Sequence, residues 1–343
     1  MIDNLLAKFQ SNINISDILL TQEDCVAIRM DWDIHTVEST ITTEQIDQMI
    51  KEILDQNNIW PAGNLLNEID ISYIYDNQSY RVNIFQKSWK KALAIRKLTN
   101  FDINLEDIMS LDLAKSIQKK VLEKKSWLFL VTGTAWSGKS TTLIWCLEYI
   151  NQNYQKHIIT IEDPREYIFT PKKSIFSQRE VGIDTVSFES WLKSLLRQNP
   201  DIVMVWEIRD PTSAEAVINI AETWHLVLST LHTKSAVNTI SRLVSFFPPY
   251  YQDSIKDRLA DVYLWSLAQT LIKTPKDIKI NDNNKHILSK WWNRIAEFEL
   301  CLNNTAMANT IRKWDFKSIP NIIQTGSQEG MISVDDYRKI VWL

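Results

Sequence analysis

Apolar and polar positions change rhythm near residue 110. Before it, short β-branched and aromatic segments with partial alternation surround one helical pattern. "CVAIRMD" (25–31), "IDISYIY" (70–76), "SYRVNIFQ" (79–86) and "ALAIRKL" (92–98) predict strands, and Asp76-Asn77-Gln78 predicts a hairpin turn. In "TTEQIDQMIKEILDQNN" (42–58), Ile46, Met49, Ile50, Ile53 and Leu54 share one helical face, and Thr42 with Gln45 forms a capping box. Residues 1–99 therefore predict a small α+β domain, followed by a linker at 100–112.

From 113 to 343 continuous apolar strands alternate with helices. Helices are predicted at 113–125, 139–153, 188–199 and 212–223; strands at 127–132, 157–162, 201–206 and 225–231. Strands apolar on both faces, separated by helices, imply an α/β fold: a parallel sheet with helices on both faces. The chain after about 233 reads as mostly helical, with one strand at "RIAEFEL" (294–300).

Chemistry collects at the ends of these strands. Gly133-x4-Gly138-Lys139-Ser140 fits a phosphate loop and lies between a buried strand and a helix. In that context the loop and helix N–H groups hold phosphate oxygens. Lys139 would reach the β- and γ-phosphates and Ser140 would ligate Mg²⁺. The nucleotide-contacting stretch is Gly133, Thr134, Ala135, Trp136, Ser137, Gly138, Lys139, Ser140 and Thr141. In "DIVMVWEIRD" (201–210) Glu207 emerges at a strand's carboxyl edge, where it can hold Mg²⁺ or polarise water. "ITIEDPREY" (159–167) places Glu162, Asp163 and Glu166 after another strand, as an exposed turn or as metal- and water-positioning acids. His225 and His232 bracket the strand "HLVLSTL" from opposite ends and cannot share a metal; His232 is placed to sense a γ-phosphate, His225 to pack or hydrogen-bond.

Composition narrows the class. A net charge of −4 gives no global basic surface for direct nucleic-acid binding. No apolar run reaches the roughly 18 residues of a transmembrane segment. The N-terminus does not read as a secretory signal. Cys25, Cys146 and Cys301 are too scattered for a zinc site or disulfide framework, in keeping with a reducing cytoplasm. Two counts are abnormal: 6 Gly and 14 Trp. Ordinary usage would give about 24 glycines in a chain this long.

The four motif stretches together resemble the secretion-superfamily ATPases, in particular the PilT-like type IV pilus retraction branch. "VTGTAWSGKSTT" is similar to that family's Walker A, "ITIEDPREY" to its Asp box, "DIVMVWEIRD" to its Walker B and "AETWHLVLSTLHT" to its His box. Residues 177–202, 306–313 and 322–333, and "IRMDWDI" and "YRVNIF" in the N-terminal region, extend the likeness over nearly the whole chain. The resemblance implies a RecA-like ATPase domain behind a PAS-like N-terminal domain, assembled as a cytoplasmic homo-hexamer peripheral to the inner membrane. Its implied partners are pilin machinery and a membrane platform protein, and its implied cofactors are ATP and Mg²⁺. Glu207 maps to the Walker B glutamate and Glu162 to the Asp-box acid, and either is the general base. Arg81 and Arg96 map to N-domain arginines that reach the γ-phosphate; Arg209 also matches the pattern, without an assigned role. Retraction is favoured over extension or type II secretion because extension motors carry a four-cysteine metal site; a motor serving DNA uptake reads the same way.

The resemblance also exposes one kind of departure. Family members carry Gly where this chain has Trp32, Trp127, Trp136, Trp206, Trp224 and Trp314, together with Trp89, Trp191, Trp265, Trp291 and Trp292. UGA is read as Trp in one alternative code and as Gly in another, so these tryptophans are expected to be glycines in the cell. Each Trp forced into a glycine site costs about 1–3 kcal/mol by overpacking. A dozen would exceed a typical total stability of about 5–15 kcal/mol. If the tryptophans are genuine, the chain is a nucleotide-binding but inactive ring subunit.

Overall fold

The structure is a computed structural model that describes residues 1–10, 15–30, 33–59, 68–76, 78–98, 109, 111–124, 126–135, 137–273, 294–302 and 305–313. Trp32, Trp136, Trp291, Trp292 and Trp314, the stretch 322–333 and most of the expected linker at 100–112 lie outside the described residues. The chain forms two compact units: Met1–Phe101 with Ile161–Phe169 and Gln178–Ser187, and the remainder.

In the first unit, α1 (Ile2–Gln10) and α2 (Thr43–Gln56) accompany six strands: β1 (Ile15–Thr21), β2 (Cys25–Met30), β3 (Asp33–Thr40), β4 (Glu68–Tyr75), β5 (Gln78–Lys87) and β6 (Lys90–Lys97). The strands make one sheet in the order β3-β2-β1-β6-β5-β4, with every neighbouring pair antiparallel. Helix α2 starts where its sequence requires. The Thr42 hydroxyl accepts from Gln45 N and the Gln45 side chain accepts from Thr42 N. Ile46, Met49, Ile50, Ile53 and Leu54 are buried, together with Ile2, Leu6, Ile18, Leu20, Val82 and Ile84. Tyr75 pairs with Gln78, so Gln78, expected in the hairpin turn, is instead the first residue of β5. Beside the strand predicted at 25–31, the structure adds β1 and β3.

The second unit is built on α3 (Leu111–Ile117), β7 (Trp127–Thr132), α4 (Lys139–Asn153), β8 (His157–Glu162) and β9 (Ile175–Glu180), whose last residues from Ile161 and from Gln178 group with the first unit, α5 (Phe188–Leu195), β10 (Ile202–Val205), α6 (Pro211–Glu222), β11 (Leu226–Leu231), α7 (Ala236–Ser245), α8 (Pro249–Val262), β12 (Tyr263–Lys273), β13 (Arg294–Leu302) and α9 (Thr305–Lys313). The sheet order is β13-β12-β7-β11-β10-β8-β9. Strands β12, β7, β11 and β10 run parallel, and each residue of β10 and β11 is buried. Burial on both faces is why these strands read as unbroken apolar runs.

Two expectations change. The helix expected at 113–125 begins at Leu111 and widens into a π-helical turn at Gln118–Leu122, with Glu123 N donating to Gln118 O. The wider turn lets the consecutive residues Val121 and Leu122 both turn inward while Lys119 and Lys120 stay exposed. After 233 the described residues are mostly helical, as expected, but they hold two strands where the sequence predicted one. Tyr263–Lys273 is an eleven-residue strand, parallel to β7 and antiparallel to β13, so the sheet is mixed at this edge. An apolar run buried between two neighbours has no period that separates strand from helix. No helix among the described residues is long and apolar enough to cross a membrane.

Candidate active site

Strand β7 lies between β12 and β11, and its carboxyl end feeds the phosphate-loop motif. Gly133 leaves the strand at φ +152, donating its N–H to Leu231 O at 3.3 Å. A Cβ at 133 would stand 2.2 Å from the backbone oxygen of Gln269; one at Gly138 (φ +86) would stand 2.7 Å from the Gln269 side-chain amide. The loop is therefore pressed against β12 at two places, against fixed backbone at Gly133 and against a side chain at Gly138. Gly138 caps α4 without a side-chain partner for the helix's first N–H groups, leaving them directed at the loop. The Ser137 hydroxyl is buried with no hydrogen-bond partner among the described residues. The Thr142 hydroxyl donates to Gln269 Oε1 at 2.7 Å and ties the first turn of α4 to β12.

Lys139 curls back over this loop. Its Nζ donates to Thr134 O at 2.9 Å and Gly133 O at 3.2 Å, and lies 3.5 Å from His232 Nδ1. The other ring nitrogen of His232 lies 2.9 Å from Glu207 Oε1. Glu207 Oε2 accepts from Arg209 Nε at 2.8 Å. Parallel pairing explains the meeting: β7, β11 and β10 end at one sheet edge, so residues just beyond them converge. The segment after β10 is pinned to β11, with Ile208 N donating to Thr230 O at 3.0 Å and the Thr230 hydroxyl donating to Trp206 O at 2.7 Å. Asp210 and Pro211 then start α6, with Asp210 accepting from Ser213 N.

The Asp-box stretch belongs to the first unit. Glu162 is 1% exposed, and its two oxygens accept from Glu166 N at 3.1 Å and Gln178 Nε2 at 3.2 Å. In the same unit, Glu180 accepts from Ser72 N and the Ser72 hydroxyl, with Arg165 Nε at 3.9 Å. Burial holds the Glu180 carboxyl above the usual range in spite of these partners. Asp70 grips Arg81 through Nε and Nη2, and this hydrogen bonding, with the Asp70 charge and weaker pulls from Glu166 and Asp163, raises the guanidinium pKa. Arg96 donates from Nε to Asp17 at 2.7 Å.

Thus the structure brings Lys139, His232 and Glu207 together, with Arg209 beside them. Gly133, Thr134, Ala135, Ser137 and Gly138 form the loop, and Ser140 and Thr141 lie in the first turn of α4. His225 hydrogen-bonds Thr223 and Ile220 O, the structural part expected of it. Gln269 and Thr142 were missed, because their pairing depends on β12, which was not recognised. Among the described residues no cluster of three or more metal-ligating side chains occurs. A nucleotide fits the loop on its own chemistry: glycine-lined backbone, a buried unpartnered hydroxyl at Ser137 and an adjacent ammonium.

The family model described as "Type II/IV secretion system protein" matches residues 16–296. The chain is 33% identical over 336 residues to the type IV pilus retractation ATPase PilT of Pseudomonas aeruginosa, covering 97% of this chain and 92% of that one. It is 34% identical over 312 residues to a twitching motility protein of Neisseria gonorrhoeae, covering 90% and 78%. A crystal structure of the pilus retraction motor PilT with bound ADP superposes with a TM-score of 0.78 at 30% identity, covering 99% of this chain and 96% of that one.

Proposed function

Because this chain belongs to the Type II/IV secretion system protein family, we propose that it is an ATP-hydrolysing motor that retracts a type IV pilus. The observation that carries the reading is the line Lys139–His232–Glu207 at the mouth of the glycine loop, in a chain similar to PilT along almost its full length. The loop N–H groups and the N-terminus of α4 hold the phosphates. Lys139 leaves the carbonyls of Gly133 and Thr134 and neutralises charge between the β- and γ-phosphates. Ser140 and Glu207 would hold Mg²⁺, which screens the phosphates and supports the charge of the departing ADP.

Water attack on the γ-phosphorus gives ADP and phosphate, with the water proton passing to a base. We assign that base to Glu207. Glu162 is nearly fully buried, whereas Glu207 is only partly buried and stands beside His232 at the phosphate loop. His232, in contact with both Lys139 and Glu207, couples phosphate occupancy to the position of the carboxylate. The proposed assembly is a homo-hexamer on the cytoplasmic side of the membrane, pulling on pilin subunits through a platform protein. In that ring Arg81 and Arg96 would exchange Asp70 and Asp17 for the γ-phosphate of a neighbouring subunit.

The test is ATP hydrolysis by the purified protein with and without Mg²⁺, beside Lys139→Ala. Loss of hydrolysis on Lys139→Ala is expected. Hydrolysis that survives the change would refute the site. Restoration of twitching in a retraction-deficient strain tests the direction of work, and failure there with intact ATPase activity would refute retraction alone.

A further inference from the structure

We infer that a set of tryptophans in this chain, Trp89, Trp127 and Trp224 among them, are glycines in the living protein, their codons being read as glycine. The inference rests on backbone geometry and does not depend on the motor reading. Eight described non-glycine residues have positive φ: Glu23, Asn58, Asp76, Ser88, Trp89, Trp127, Asn199 and Trp224. Asn58, Asp76 and Asn199 are residue types that tolerate this region, because a short polar side chain bonds locally. Tryptophan has no such compensation, yet three tryptophans are there.

Each of the three occupies a place whose chemistry asks for glycine. Ser88 (φ +51) and Trp89 (φ +68) are the two turn residues of the β5–β6 hairpin, where Lys87 pairs with Lys90. Two consecutive positive φ values are the turn that Asn-Gly serves best. Trp224 (φ +67) directly follows Thr223, the C-cap of α6, in the left-handed position where glycine ends helices. Trp127 has φ +132, outside even the left-handed helical well. Burial does not compensate at the first two: Trp89 is 96% exposed and Trp224 81%. Trp191, fully buried, adds an indole N–H without a partner among the described residues.

Trp145 is the internal contrast. It sits within helix α4, is buried and stacks on Tyr149 with ring centroids 5.5 Å apart. It is a tryptophan whose environment suits tryptophan, so the inference leaves it unchanged. Glycine low by about three-quarters against ordinary usage beside 14 tryptophans is the chain-wide counterpart of the same exchange. UGA, a glycine codon in one alternative code and a tryptophan codon in another, supplies the route. The consequence reaches the site. Trp127 opens β7 and donates its N–H to His225 O, and Trp224 precedes β11, so both set the strands that carry the phosphate loop and His232.

The deciding measurement is peptide mass spectrometry of the protein isolated from the cells that encode it. Trypsin releases residues 126–139, with positions 127 and 136, residues 210–234, with position 224, and residues 140–156, with Trp145. Glycine at 127 and 224 together with tryptophan at 145 is expected. Tryptophan at 127 or at 224 overturns the inference. A second measurement uses expressed protein: W89G/W127G/W224G is expected to unfold at higher urea than the chain with all three tryptophans. An equal or lower midpoint overturns the strain argument.

Discussion

Replacing Gly133 by alanine puts the loop geometry to a quantitative test. A Cβ built there stands 2.2 Å from Gln269 O and 2.4 Å from Ser137 Oγ, at φ +152. The Gln269 oxygen is backbone in a strand paired on both sides, so it cannot step away cheaply. Positive φ in a non-glycine residue costs about 1–3 kcal/mol, and overpacking against fixed atoms costs about 1–3 kcal/mol. Their sum, about 2–6 kcal/mol, is a large part of a typical stability of about 5–15 kcal/mol. Two other glycines calibrate the reasoning. At Gly138 (φ +86) the only contact under 3 Å among the described residues is the Gln269 amide at 2.7 Å, which can swing away at the expense of its partner Thr142. That adds about 0.5–1.5 kcal/mol for a lost hydrogen bond to the backbone cost. At Gly182 (φ +83) no atom of the described residues lies within 4 Å, so only the left-handed penalty of about 1–2 kcal/mol applies. Urea unfolding of the three variants should rank Gly133→Ala as most damaging, then Gly138→Ala, then Gly182→Ala. ADP binding measured by calorimetry should fall for the first two and persist for the third. Equal losses for Gly133→Ala and Gly182→Ala would refute the claim that β12 confines the loop.

Further outcomes follow from the same structure. Glu207→Gln should lower the hydrolysis rate by about 10²–10⁴-fold with nucleotide still bound; a larger loss from Glu162→Gln, in the same single-turnover assay, would move the base to Glu162. Glu180 bears on pH. Its carboxyl is raised by burial, so the stability it lends is full below the unfolded carboxyl pKa and is lost as pH rises through the folded one. Unfolding free energy measured from about pH 4 to pH 7 should therefore decline less steeply in Glu180→Gln than in the unmodified chain, and identical slopes would contradict this. Of the cysteines, Cys25 is exposed, whereas burial pushes the Cys146 thiol well up and the Cys301 thiol up to about 11. Alkylation of the folded protein at neutral pH should label Cys25 alone, as read by peptide mapping.

Much of the site was legible because its chemistry is local. Gly133, Gly138, Lys139 and Ser140 are close in sequence and depend only on a strand-to-helix turn. Glu207 and His232 could be placed because parallel strands end at one edge, which the run of buried apolar strands already implied. Helix α2 was readable to its cap, since Thr42 and Gln45 bond each other and five apolar side chains repeat along one face.

Other features depend on partners distant in sequence. That Ile161–Phe169 and Gln178–Ser187 group with the first unit follows from contacts such as Ser72 with Glu180, which no local pattern encodes. Strand β12 lacks a period because it is buried between β7 and β13, and with it went Gln269, the residue that shapes the loop from outside. The tryptophans divide along the same line. Their excess over glycine is a matter of composition, but Trp89, Trp127 and Trp224 stand apart from Trp145 only through φ, which the folded backbone imposes. Sequence carries spacing and residue type; which atoms press on a given Cβ is a property of the assembled sheet.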